Sequence, residues 1–153
     1  MALYLVQHGR SLPRDVDPDQ GLSVEGVSQV ERIAGVAKGY GVSVTRILHS
    51  GKQRALQTAI IMGSILEPRG GIQAADGLAP LDPVEPWAER LKPGEGLMLV
   101  GHLPFMEKLA SFLVTGAEVP MIFKFQNGGI VCFDRSPEAS SWFIKWALMP
   151  NIS

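Results

Sequence analysis

Three short segments carry residue types that could do chemistry together. In LYLVQHGRS (residues 3–11) an apolar run leads straight into Gln7, His8, Gly9 and Arg10. A histidine nitrogen can attack phosphorus and hold the phosphoryl group, splitting one hard displacement into two easier ones. Such a nucleophile needs its tautomer fixed by a hydrogen bond at the other ring nitrogen, and a nearby backbone carbonyl is the usual means. The glycine that follows lets backbone and phosphate approach closely. In HSGKQRALQTA (49–59), Arg54 falls in the first turn of a helix, where a planar guanidinium and the helix N-terminus both suit phosphoryl oxygens. In LMLVGHLPF (97–105), His102 follows a second apolar run; protonated, it would stabilise charge on the equatorial oxygens during transfer. Each has a plainer reading: a turn histidine, a solvated arginine, a helix cap.

The elements that must position these residues decide between the readings. ALYLVQ is continuously apolar, as expected of a strand buried on both faces. A polar loop leads to LSVEGVSQVERIAGVAKGYG, where Ser23 suits an N-cap and Val27, Val30, Ala34 and Ala37 share a helical face. VTRILHS reads as a second strand, KQRALQTAIIMGSIL as a helix with Ala55, Ala59 and Met62 at helical spacing, and GLMLVG as a third buried strand. Between the last two lie a Gly/Pro-rich connection and a short helix in PVEPWAERL. PFMEKLASFLVTG continues as a helix with Pro104 in its first turn. In the last third, IFKFQNGGIVCFDR predicts a hairpin about Asn127-Gly128, and SWFIKWALMP a closing strand.

This alternation predicts one domain over residues 1–153: a three-layer α/β/α sandwich with a central, mostly parallel mixed sheet. Ligands of open α/β sheets bind beyond the carboxyl ends of the strands. His8 and His102 end strands and Arg54 opens the helix after a third, so residues far apart in sequence should converge on one sheet edge. That convergence favours the chemical reading.

Composition narrows the classes. With 46% apolar and 19% charged residues the chain is an ordinary globular one, and a net charge of −1 gives no footprint for nucleic acid or an anionic membrane. No apolar run approaches the ~20 residues that span a bilayer. The first residues lack the basic region and the long apolar run of a signal peptide, and the single cysteine, Cys132, cannot form an internal disulfide; a cytoplasmic location is expected. Cys132 reads as a buried small hydrophobe, His49 as structural, and Trp142, Phe143 and Trp146 as sheet packing. Three dispersed histidines and one cysteine have no metal-ligand spacing, so neither metal nor cofactor is expected.

The segments LYLVQHG, GLSVEG, HSGKQRALQTA, LVGHLPFM and WALMP, in that order, resemble the histidine phosphatase superfamily of the phosphoglycerate mutase branch, and within it the small bacterial SixA-type phosphohistidine phosphatases. The resemblance spans nearly the whole chain. It implies an α/β sandwich around a mixed sheet, His8 as phospho-accepting nucleophile, Arg54 as phosphate ligand and His102 as second pocket histidine.

Two departures bear on substrate. Gln7 stands where the family signature has arginine, and Arg10 is a candidate to replace the missing charge. Members that cleave phosphate esters also carry a catalytic glutamate; in DGLAPLDPVEP the matching slot is Pro80, with Asp82 and Glu85 nearby. An alcohol leaving group needs a general acid, whereas imidazole, with a pKa of about 6.5, needs far less help. No insertion is large enough to form a lid. A phosphorylated protein carrying phosphohistidine, of the histidine-phosphotransfer type, is therefore the expected substrate and partner. A small-molecule phosphomonoesterase using Asp82 or Glu85, and a non-catalytic phosphate- or phosphoprotein-binding module, are the alternatives.

Overall fold

A computed structural model describes residues 2–152. Ten elements follow in order: β1 (Leu3–Gln7), α1 (Val24–Gly39), β2 (Arg46–His49), α2 (Gln53–Leu66), β3 (Ile72–Ala74), α3 (Glu85–Arg90), β4 (Leu97–Gly101), α4 (Phe105–Thr115), β5 (Ile130–Asp134) and β6 (Phe143–Leu148). The strands form one six-stranded sheet in the order β3-β2-β4-β1-β5-β6. Strands β3, β2, β4 and β1 run parallel; β5 is antiparallel to both β1 and β6.

Alternation along the strands divides the core in two. Leu3 and Leu5 of β1, Leu97 and Leu99 of β4, and Val131 and Phe133 of β5 face one cluster, with Trp87 of α3 and Phe105, Met106 and Leu109 of α4. Tyr4 and Val6, Met98 and Val100, and Ile130 and Cys132 face the other, with Val30, Ile33, Ala34 and Ala37 of α1 and Ala55, Ala59 and Met62 of α2. With both faces covered, every residue of the strand centre must be apolar, which is why β1 and β4 read as unbroken runs. Ser23 caps α1, its hydroxyl accepting from the Gly26 N–H at 3.0 Å.

Two expectations are corrected. The three residues of β3 pair with β2 at the sheet edge, all exposed, within the stretch read as a Gly/Pro-rich connection. Residues 122–126, read as the first strand of a hairpin about Asn127-Gly128, belong to no strand; β5 pairs instead with β1 and β6. The Asn127-Gly128 turn does form, and it folds against the end of β1, with the Gly128 N–H donating to Gln7 O at 2.9 Å.

Candidate active site

The sheet order places the candidate residues side by side. In the parallel β1–β4 pair Gln7 is level with Gly101, so His8 and His102 each stand one residue past the end of neighbouring strands. Neighbouring strands lie about 4.8 Å apart, and the two imidazole centroids are 5.0 Å apart, their planes tilted by 53°. On the other side of β4, His49 of β2 is level with Val100, which brings the next residue, Ser50, to His102: Ser50 Oγ and His102 Nε2 share a 2.6 Å hydrogen bond. Arg54 follows in the first turn of α2. The strand ends thus present Ser50, His102 and His8 in a row.

His8 is held in one tautomer. Its Nδ1 lies 2.7 Å from Gly9 O. A carbonyl only accepts, so Nδ1 carries the proton and Nε2 is left with its lone pair. The backbone around it is anchored on every side. His8 N–H donates to Gly101 O at 2.9 Å, Gly9 N–H donates to Thr58 Oγ1 at 2.9 Å, and Asn127 Nδ2 donates to His8 O at 3.0 Å. Glycine suits position 9: a Cβ there would stand 2.8 Å from Val30 Cγ2 and 3.2 Å from Leu22 Cδ2, so those side chains would have to shift.

The electrostatics of the pocket have one sign. Burial lowers the His8 pKa below its usual value and the Arg54 charge lowers it further, against the opposing pull of the Gly9 carbonyl. His102 is pushed down to about 3, by burial first and then by His8, Arg54 and Lys52. Every charged group that shifts the two rings is basic. The expectation of a protonated His102 is corrected accordingly: at neutral pH in the free protein it is a neutral imidazole that offers one N–H, because a third cation beside Arg54 and Lys52 in a desolvated site is too costly. Arg54 itself is lowered by burial and by neighbouring Arg14.

The other sequence candidates sit as follows. Gln7, half-buried at the end of β1, has its Oε1 buried without a hydrogen-bond partner among the described residues. Arg10, expected beside the phosphate, is ion-paired with Glu25 at 2.8 Å, both side chains more than half exposed. Asp82 accepts from the Ala79 N–H at 2.8 Å, and Glu85 is an exposed residue at the start of α3. His49 is buried, its Nδ1 accepting from the Gly51 N–H at 3.1 Å. Among the described residues no group of three or more His, Cys, Asp or Glu side chains could hold a metal ion, and no helix is long and apolar enough to cross a membrane.

Sequence reasoning missed Ser50, Thr58 and Asn127 as parts of this arrangement. Ser50 and Thr58 had a usable signal, since one ends the strand before Arg54 and the other lies four residues beyond it on the same helical face. Asn127 had none, because its partner is 119 residues away.

No family model matches the chain, and no curated protein matches it in sequence. Solved structures do match in shape. A structure of the protein histidine phosphatase SixA complexed with tungstate aligns at a TM-score of 0.84, with 24% identity over 98% of this chain and 97% of that one. A SixA structure from Agrobacterium tumefaciens aligns at 0.78, with 23% identity over 98% of each chain. A mycobacterial glucosyl-3-phosphoglycerate phosphatase with bound VO3 aligns at 0.72, with 15% identity over 97% of this chain and 99% of that one. Every strand and helix that carries the candidate site therefore belongs to the α/β sandwich fold of the histidine phosphatases.

Proposed function

We propose that the protein is a phosphatase that works through a phosphohistidine intermediate on His8 and acts on phosphohistidine in a protein. One observation carries the reading: the Nδ1–Gly9 O bond leaves His8 Nε2 with its lone pair, and the charged groups that act on His8 and the adjacent His102 ring are all basic. Such a pocket attracts a phosphoryl dianion and stabilises the charge on its three equatorial oxygens during transfer. His8 Nε2 attacks phosphorus as the bond to the leaving group breaks; water then attacks the phosphorylated ring, releasing inorganic phosphate and restoring His8. Arg54 and the N–H of His102 hold the oxygens, and Gln7 adds its amide at the strand end.

The absence of a carboxylate among the groups acting on His8 and His102 supports the choice of substrate. An alkoxide is about nine pKa units more basic than imidazole and needs a proton as it leaves; a phosphorylated imidazole that carries a proton on its other ring nitrogen departs as the neutral ring without one. The glucosyl-3-phosphoglycerate phosphatase among the structural neighbours favours a second reading, hydrolysis of a small phosphate ester. That reading needs an acid, and of the two carboxylates suggested by the sequence, the Asp82 side chain is bound to the Ala79 N–H and Glu85 is exposed.

The test is a substrate panel with trapping. The native protein should cleave phosphohistidine far faster than alkyl phosphates. Brief reaction with a labelled phosphodonor should leave acid-labile, base-stable phosphate on His8, and His8→Ala should abolish both. Asp82→Asn and Glu85→Gln should barely slow phosphohistidine cleavage. Turnover persisting in His8→Ala removes the covalent mechanism, and a large loss in either carboxylate variant moves the reading to the ester.

A further inference from the structure

The ring of His8 is tied to Gly9 O, so the direction of its Nε2 lone pair follows the orientation of the backbone at Gly9. Glycine by itself gives that backbone unusual freedom. Two side chains hold the peptide that leads into it. The peptide unit joining His8 to Gly9 has its carbonyl bound by Asn127 Nδ2 at 3.0 Å and its N–H bound to Thr58 Oγ1 at 2.9 Å. With both ends held, the plane of the peptide cannot turn.

The Thr58 hydroxyl does more than accept. Fully buried, it donates its own proton to Arg54 O at 2.8 Å. One oxygen therefore stands between the backbone of the proposed nucleophile and the backbone of the proposed phosphate ligand. It sets the spacing between the group that attacks phosphorus and the group that holds its oxygens. Asn127 is itself secured: Gly128 N–H donates to Gln7 O at 2.9 Å, and the side chain of Gln126 exchanges two hydrogen bonds with the backbone of Asn151, at 2.8 and 3.0 Å.

We propose that Thr58 and Asn127 are positioning residues that clamp the His8–Gly9 peptide, aim the His8 ring, and through the Thr58 hydroxyl fix its distance to Arg54. The proposal rests on the reading of His8 as nucleophile. A displacement of about 1 Å in such an alignment costs on the order of a hundredfold in rate.

The experiment pairs Thr58→Val, which keeps the shape and removes the hydroxyl, with Thr58→Ser, which keeps the hydroxyl, and adds Asn127→Asp, which cannot donate to a carbonyl. Steady-state turnover of phosphoramidate is measured alongside the ring 15N shifts of His8 and the melting temperature. Thr58→Val and Asn127→Asp should each lower kcat by roughly ten- to a hundredfold with KM within about threefold, while Thr58→Ser stays within about twofold of native. In both slow variants the His8 15N shifts should move from the Nδ1–H tautomer toward a mixture. Should Thr58→Val fail to fold, Asn127→Asp, at a half-buried loop position, carries the test alone. Native kcat with a native tautomer in the folded variants overturns the clamp, as does a Thr58→Ser variant as slow as Thr58→Val. The tautomer needs no turnover to be read, so a failure of the nucleophile reading, seen in His8→Ala, is separate from a failure of the clamp.

Discussion

Substituting alanine at Gly26 should destabilise the protein, although alanine is normally the better helix residue. Gly26 lies in the first turn of α1, directly against the loop that follows His8. A Cβ there would overlap Arg10 O and stand 3.0 Å from both Arg10 C and Arg10 N. These are backbone atoms and cannot swing aside. Arg10 O is itself the acceptor of two hydrogen bonds, from Ser23 N at 2.9 Å and Ser23 Oγ at 3.2 Å. Forcing an extra carbon into such a contact costs about 1–3 kcal/mol, and loosening the Ser23 bonds about 1 kcal/mol more. Helix propensity returns about 1 kcal/mol. A net loss of about 2 kcal/mol should lower Tm by roughly 4–8 °C in a chain of this size. Gly35 in the same helix is the control, since a Cβ there meets nothing within 4 Å. Gly35→Ala should be neutral or raise Tm by a few degrees. Thermal unfolding of both variants by circular dichroism decides the matter, and phosphatase activity should fall with Gly26→Ala because residues 9–11 are displaced beside His8. A Gly26→Ala protein melting at or above the native temperature would refute the contact.

Two further predictions concern charge. His8, His49 and His102 all have folded-state pKa values below the unfolded value of about 6.5, that of His102 at about 3. Below that pH the unfolded chain binds more protons than the folded one, so stability should fall on acidification from about pH 6.5, by up to about 1.4 kcal/mol per pH unit for each histidine; urea unfolding at pH 7 and pH 5 should show it, and a flat profile would contradict the desolvated histidines. Arg10→Ala should change stability by less than about 1 kcal/mol, as expected of an exposed ion pair, and should leave kcat/KM within about threefold of native; a tenfold fall in the rate assay would return Arg10 to the phosphate.

The fold was legible wherever burial on both faces forced continuous apolar sequence. Strands β1 and β4 announce themselves in this way, and the alternation of strands with amphipathic helices specifies a largely parallel sandwich. Strand β3 was silent, because an exposed three-residue edge strand has no face to bury and so no pattern. Asn127-Gly128 was misread for a different reason. The pair does make a turn, but what the turn packs against is the end of β1 rather than a preceding strand, and local sequence carries no information about that partner. At the site, His8 and His102 could be named from strand ends and Arg54 from the start of a helix that follows one. Their protonation could not, since the depression of His102 depends on desolvation and on three neighbouring bases that only the assembled sheet brings together. Arg10 shows the same limit: two residues from His8 in sequence, it is ion-paired with Glu25 of α1.

The order of the strands also bears on why the proposed mechanism suits a phosphohistidine donor. Strand β4 comes late in the chain but lies between β2 and β1, so the site is assembled from strand ends that contribute imidazoles, a hydroxyl and backbone, with bases alone acting on the rings. A pocket of that composition can hold a phosphoryl group firmly, yet it has little with which to protonate a departing oxygen. For a phosphohistidine donor that deficiency costs nothing in the first step, where one P–N bond is exchanged for another of the same kind. In the second step of the proposed mechanism the leaving group is again an imidazole, His8 itself, whose Nδ1 proton is already held by Gly9 O. Both half-reactions then present the same leaving group to the same pocket. A single set of residues can serve each without a proton shuttle, whereas an alkyl ester would meet that match only in the second step.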